Sequence, residues 1–296
     1  MKEYAPIVIF CYNRIDKLMK LVDSIKLNKE TLQTKIYFFI DKVDNNESLT
    51  EEIKKYLNSV NGFMEKKVIV NEENKGLKNN ILDGIDYVLQ ENESVICLED
   101  DLVVSKYFLS YMNNALEKYQ NEKRIWHING WAYPQLRLDS SKIIIGKLMN
   151  SWGWATWRDR WEMHTERSLN LISGLDYKTK RNFNFSNLTN WEQQLIDNEN
   201  EKISTWAIFW YQTIFLNNGL TVYPTKSLVI NNGMDGFGTN SGKTKLFNTK
   251  LIKVEPNNFP KNIYVNKINS IFTILFYLKL NLLKKINYFI DKIYND

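Results

Sequence analysis

Short apolar runs alternate with amphipathic stretches through the first part of the chain. Ile7-Val8-Ile9-Phe10-Cys11 is continuously apolar, the pattern of a strand covered on both faces. After the polar turn Tyr12-Asn13-Arg14, Leu18, Leu21, Val22 and Ile25 recur at helical spacing and predict a helix over 15–27. Strands follow at 35–40 and 68–70, a helix at 77–89, and another buried strand from Ser94 to Leu98. Strand alternating with helix predicts a mostly parallel sheet with helices on both faces. From Ile125 the texture changes to a strand at 125–129 followed by a tryptophan-rich stretch around Ser151-Trp152-Gly153-Trp154-Ala155-Thr156-Trp157. A helix containing Trp206, Phe209, Trp210 and Ile214 comes next, then a strand at 220–223 and a glycine-rich loop from Asn232 to Asn240. One long helix or a helix pair is expected over 268–294. The predicted organisation is one half of a domain over 1–124, a second half over 125–262, and a helical tail over 263–296.

Composition changes this picture little. With 44% hydrophobic and 14% aromatic residues, 296 residues can bury a sizeable core. The net charge of +5 comes without an arginine cluster or regular basic and aromatic interleaving, so no nucleic-acid partner is expected. Cys11 and Cys97 lie in predicted core strands and read as reduced thiols. The N-terminus runs straight into a strand with no signal-peptide pattern, so a cytoplasmic location is expected. Lys279, Lys284, Lys285 and Lys292 interrupt the tail, whose apolar part falls short of the ~20 residues needed to span a bilayer. Such a helix fits docking onto the domain equally well as lying in the membrane interface, at the inner face of the cytoplasmic membrane.

Candidate chemistry gathers at the strand ends. Glu99-Asp100-Asp101 directly follows an apolar strand, where three carboxylates repel one another and lose hydration. A divalent cation with oxygen ligands would relieve them; capping of the following helix is the plainer alternative. In open α/β sheets ligands bind outside the carboxyl ends of the strands, and there Arg14, Asp41 and the Asn74-Lys75-Gly76 loop are expected to meet the acids. The Trp-Gly-Trp segment reads as a stacking platform or as a packed wall. Trp157 and Trp161, one helical turn apart, read as core, and His127 as a satisfied strand histidine. The glycine-rich loop can approach a ligand closely but lacks Walker or Rossmann spacing.

Taken in order over about residues 5–245, these motifs resemble a GT-A fold nucleotide-sugar glycosyltransferase. The likeness is to bacterial polysaccharide-cluster sugar transferases and to the N-acetylglucosaminyltransferase I family. It implies an α/β, Rossmann-like sheet with an aromatic-rich acceptor side. It implies that Asp101 binds Mn²⁺ or Mg²⁺, with Glu99 and Asp100 positioning the metal shell and the donor sugar. Arg14 and Lys75 would lie near the diphosphate, and Asp41 would read the base or ribose. Trp152, Trp154 and Trp206 would line the acceptor side. The donor implied is a nucleoside-diphosphate sugar, a UDP-sugar foremost, and the acceptor a glycan or lipid-linked glycan in surface polysaccharide synthesis. Two positions depart from the pattern. No acid follows Trp206, so the base of an inverting reaction falls to Asp235 or Glu192, Asp235 being preferred for its place in the glycine-rich loop; without either, the reaction would be retaining. Asn240 stands where relatives often carry a histidine, and would donate to phosphate. Two rival readings are a sugar nucleotidyltransferase, which would need a basic glycine-rich loop after the first strand, and a non-catalytic carbohydrate-binding module, which leaves the acids unexplained.

Overall fold

The computed structural model describes residues 3–134, 141–164, 170–234 and 247–295. In chain order β1 (Ile7–Cys11), α1 (Ile15–Lys26), β2 (Lys35–Ile40), α2 (Glu47–Ser59), β3 (Glu65–Val70), α3 (Gly76–Leu89) and β4 (Ser94–Glu99) make the alternating half. A short β5 (Leu102–Val104) and α4 (Phe108–Tyr119) follow. The second half holds β6 (Ile125–Asn129), β7 (Ile143–Gly146), β8 (Trp154–Trp157), α5 (Arg158–Trp161), α6 (Tyr177–Phe183), α7 (Trp191–Glu199), α8 (Ala207–Leu216), β9 (Leu220–Pro224) and β10 (Val229–Asn231). A long α9 (Lys267–Asn295) ends the chain as one continuous helix.

Among the described residues an eight-stranded sheet runs β3-β2-β1-β4-β8-β6-β9-β7. Its first four strands are parallel, Phe10 lying opposite both Phe39 and Glu99. The second half is mixed: β8 is antiparallel to β4 and β6, β9 is parallel to β6, and β7 is antiparallel to β9. The Trp-Gly-Trp segment therefore ends in a central strand, with Ala155 between Ile96 and Ile128. Gly153 permits this packing. A Cβ on the neighbouring Gly130 would lie 2.6 Å from the Gly153 carbonyl, and Gly153 itself has φ +64°, a conformation glycine adopts without strain.

Side-chain alternation along the parallel strands builds two apolar layers. Ile7, Ile9, Phe38, Ile96 and Leu98 face α1, α2 and α4. Val8, Phe10, Phe39, Val95 and Cys97 face α3 and a tryptophan cluster reaching Trp206 and Trp210. Cys11 and Cys97 fall in different layers and are free thiols, pushed well above the usual thiol range by burial. Among the described residues no helix is long and apolar enough to cross a membrane.

Candidate active site

Backbone pairing carries three carboxylates to the rim of the parallel strands. The Asp41 N–H donates to the Cys11 carbonyl at 2.8 Å and the Asp100 N–H to the Phe10 carbonyl at 3.2 Å, so each acid continues its strand by one residue. The Tyr12 N–H then donates to Asp100 Oδ2 at 3.1 Å. Arg14, at the start of α1, donates from its guanidinium to Asp101 Oδ2 at 2.7 Å. Asp101 Oδ1 is buried and, among the described residues, has no hydrogen-bond partner. A buried carboxylate oxygen without a donor is costly, which makes this atom the most informative in the site.

A second strand pair closes the rim. β5 and β10 pair antiparallel, Leu102 opposite Asn231, so the glycine-rich loop departs directly over Asp101. The Asn232 N–H donates to the Asp101 carbonyl at 2.9 Å. Gly233 sits so close that a Cβ there would lie 1.9 Å from Asp101 Oδ2 and 3.1 Å from the Arg14 guanidinium. Only glycine fits between loop and carboxylate. Leu102-Val103-Val104 and Leu228-Val229-Ile230 carry the apolar, β-branched signal of this ribbon, but its pairing joins segments too far apart in the chain for a local pattern to show.

Crowding shapes the charge state. Burial, then the charges of Asp101 and Asp100, raises the Glu99 pKa to about 8, against a lowering by Arg14. Burial and Asp101 raise Asp100 to about 7 despite the Tyr12 N–H and Arg14. Asp101 is raised by burial too, with Arg14 and Lys17 pulling the other way. At this end of the sheet burial and crowding favour the protonated acids more strongly than Arg14 and Lys17 oppose them.

Beside the acids, Asp41 is 3% exposed and organises the 71–76 loop. Its Oδ1 accepts from Asn71 Nδ2 at 3.0 Å and from the Lys75 backbone N–H at 2.9 Å. Asn74 bridges to Asp44 Oδ2 at 2.7 Å and to the Tyr12 hydroxyl at 3.4 Å. Lys75 thus reaches the site through its backbone, while its ammonium pairs with Asp83 at 2.7 Å.

The other expected residues divide. Trp154 and Trp206, expected on the acceptor side, are both buried and stacked on each other with centroids 5.3 Å apart. They form the packed wall that was the alternative reading of this segment. Trp152 is half-buried, edge-on to Trp131 at 5.1 Å, and keeps contact with the surface. Trp157 ends β8 and is the N-cap of α5, which ends at Trp161; both are core residues, and the Trp157 indole N–H donates to the Leu116 carbonyl at 3.2 Å. Glu192 lies on α7, paired with Lys180 at 3.0 Å, in an element packed on α6 and α8 and not on the acidic rim. Asp235 and Asn240 lie outside the described residues.

Among the described residues no group of three His, Cys, Asp or Glu side chains is arranged to hold a metal by itself. The donor set nonetheless fits a hard cation of the Mg²⁺ or Mn²⁺ kind, commonly bound through one or two carboxylates with phosphate and water supplying the rest. Asp101 Oδ1 is the available protein ligand, with Asp100 and Glu99 beside it.

The acidic rim thus sits at the carboxyl ends of the parallel strands of an α/β sheet, where open sheets of this kind bind their ligands. Residues 7–131 match the model of the family described as Glycosyl transferase family 2, which covers the parallel strands, the acids and β6. No curated protein sequence matches the chain. Among solved structures, residues 1–349 of S. aureus TarS are similar at 11% identity and a TM-score of 0.47, covering 80% of this chain and 62% of that one. The mannosyltransferase PcManGT from Pyrobaculum calidifontis, in complex with GDP-Man and Mn²⁺, is similar at 10% identity and TM-score 0.42, covering 73% and 70%. GalNAc-T7 with UDP, GalNAc and Mn²⁺ gives 16% identity and TM-score 0.49, covering 75% of this chain and 42% of that chain. The chain thus spans less than two thirds of the TarS fragment it matches.

Proposed function

We propose that this chain is a metal-dependent glycosyltransferase that moves a hexosyl or N-acetylhexosaminyl group from a nucleoside-diphosphate sugar, a UDP-sugar foremost, to a glycan or lipid-linked glycan. Bacterial surface polysaccharide synthesis at the inner face of the cytoplasmic membrane is the setting we favour. The observation that carries the reading is Asp101 Oδ1, a buried carboxylate oxygen without a partner among the described residues at the carboxyl end of a parallel sheet, beside the buried Asp100 and the half-buried Glu99.

Each residue has a role under this reading. Asp101 holds the ion, with Asp100 and Glu99 ordering its shell and the donor sugar. A bound Mn²⁺ or Mg²⁺ stabilises the charge that develops on the departing nucleoside diphosphate. Arg14, whose guanidinium already meets Asp101 in this corner, would offer its planar fork to a diphosphate, a bidentate match. Asp41 and the loop it fixes receive the base or ribose. Gly233 lets the loop close against the site and exclude water that would hydrolyse the donor. Asp235, two residues further on, is the preferred base for an inverting transfer; Glu192, held by Lys180, is the weaker candidate. Asn240 in the same loop would donate to the diphosphate. The burial of Trp154 and Trp206 removes much of the stacking surface that a carbohydrate-binding module would need.

The test is binding and slow hydrolysis of UDP-, GDP-, CMP- and dTDP-sugars, with Mn²⁺ and with chelator. The expected result is one donor bound and slowly hydrolysed with metal only. A protein that binds glycans but none of these donors would contradict the assignment.

A further inference from the structure

α9 has two apolar faces, and the domain covers one of them. Thr273 and Phe276 are buried, and Phe272, Tyr277 and Leu280 pack against a cluster of Trp131, Tyr133 and Tyr223, on which Trp152 also packs. Asn281 fastens the same side by donating from Nδ2 to the Leu188 carbonyl at 2.8 Å. On the outer side Ile271, Ile274, Leu275, Leu278, Leu282 and Ile286 are all exposed, Leu275 at 51%, Leu278 at 50% and Leu282 at 59%. Steps of three, one, three, four and four residues place them in one stripe along the helix. Single exposed apolar side chains are ordinary on a protein surface; a continuous row of this kind marks a surface that something covers.

The charges say what covers it. Lys267, Lys279, Lys284 and Lys285 are exposed, and no acid occurs between positions 267 and 290. At 100° per residue Lys279 falls just beyond one edge of the stripe, and Lys267 and Lys285 fall within its other flank, at an angle between Ile274 and Leu278. A second copy packed stripe to stripe would bring lysines together with no carboxylate on either helix segment to pair them. An anionic bilayer supplies both partners at once, an acyl boundary for the leucines and negative headgroups for the lysines.

We propose that the outer face of α9 docks this protein onto an anionic lipid surface, with the helix lying in the interface plane. Because the inner face of α9 packs on the cluster against which Trp152 also packs, docking brings the bilayer beside the second half of the sheet, the acceptor side in the proposed transferase. That consequence rests on the transferase reading, whereas the docking itself does not. A lipid-linked acceptor would then be presented at short range.

Cosedimentation of the full chain with phosphatidylcholine vesicles, with and without phosphatidylglycerol, tests docking without any activity assay. The expected result is binding that requires phosphatidylglycerol and weakens as salt rises. Leu275→Glu with Leu278→Glu should lower vesicle affinity tenfold or more, as an order of magnitude, while the melting temperature stays put because both side chains are exposed. Lys279→Gln with Lys285→Gln should weaken it by about fivefold per lysine and flatten the salt dependence. The proposal is overturned by absent binding to phosphatidylglycerol vesicles, or by binding that neither pair of substitutions changes. A concentration-dependent dimer that the leucine substitutions dissolve, without lipid binding, would overturn it in favour of a second copy.

Discussion

His127, in the middle of β6, and Asp101, just past the end of β4, are both ionisable side chains held at the sheet, and they differ in how completely the protein answers them. Trp210 Nε1–H donates to His127 Nδ1 at 3.1 Å, which fixes the tautomer. Nε2–H is then shared between Asn129 Oδ1 at 3.0 Å and the Asn150 carbonyl at 3.1 Å. Burial lowers this imidazole to a pKa of about 3, so it is neutral with both nitrogens satisfied. Asp101 has one oxygen held by Arg14, the other without a partner among the described residues, and two raised carboxylates beside it. A complete network rigidifies a core; an incomplete one at a strand end marks where a ligand belongs. The contrast separates structural from functional polarity better than residue type does.

Substitution at each pole should break the comparison in opposite ways. Asp101→Asn should lower sugar transfer by on the order of 10³, several kcal/mol of transition-state stabilisation, with the melting temperature nearly unchanged. Steady-state kinetics beside a thermal melt would show it, and a parallel loss of fold and activity would place Asp101 with His127 instead. His127→Ala should do the reverse. It strands the Trp210 N–H and opens a cavity, costing about 3 kcal/mol in urea unfolding, and leaves donor affinity per folded molecule intact. Gly233→Ala is a smaller perturbation of the first pole. The added Cβ must push the loop off Asp101, so donor affinity should fall about tenfold, with stability lowered by roughly 1 kcal/mol. Unchanged donor titration would show that the loop is not part of the site.

The gentlest effect is that of pH on the metal-free protein. Folded Glu99 and Asp100 keep protons to about pH 8 and 7, whereas the unfolded groups release theirs near 4.5 and 3.8. The folded state binds more protons in that window, so this pole destabilises the protein as pH rises through it. Folded His127 binds fewer protons than the unfolded chain below 6.5, so its pole destabilises as pH falls from 6.5 toward 3. Melting temperatures across pH should show Asp101→Asn flattening the alkaline limb and His127→Ala flattening the acid limb. If both variants shift the same limb, the two poles are not electrostatically separate.

Legibility in the sequence followed the same division. β1, β2, β4 and their helices were readable because a parallel strand is a local apolar run, and the acids were readable because they interrupt one. β3 proved longer than the 68–70 expected, since Glu65-Lys66-Lys67 pair with β2 despite their charge. α2 escaped because only Thr50, Ile53 and Leu57 are buried among charged neighbours. β7, β8 and the β5–β10 ribbon depend on partners far along the chain, which no local period records. Trp154 and Trp206 show the same limit: composition marked them as important but could not say that they face each other. For Gly233 the loop's glycines were legible and the contact with Asp101 was not.

The most direct test of the central claim is the electron paramagnetic resonance signal of free Mn²⁺ titrated with the protein and a nucleoside diphosphate. The account predicts that wild-type protein with the diphosphate removes the free-ion signal and that Asp101→Asn does not. Equal removal by both proteins, or none by the wild type, would contradict the assignment of Asp101 as the metal ligand.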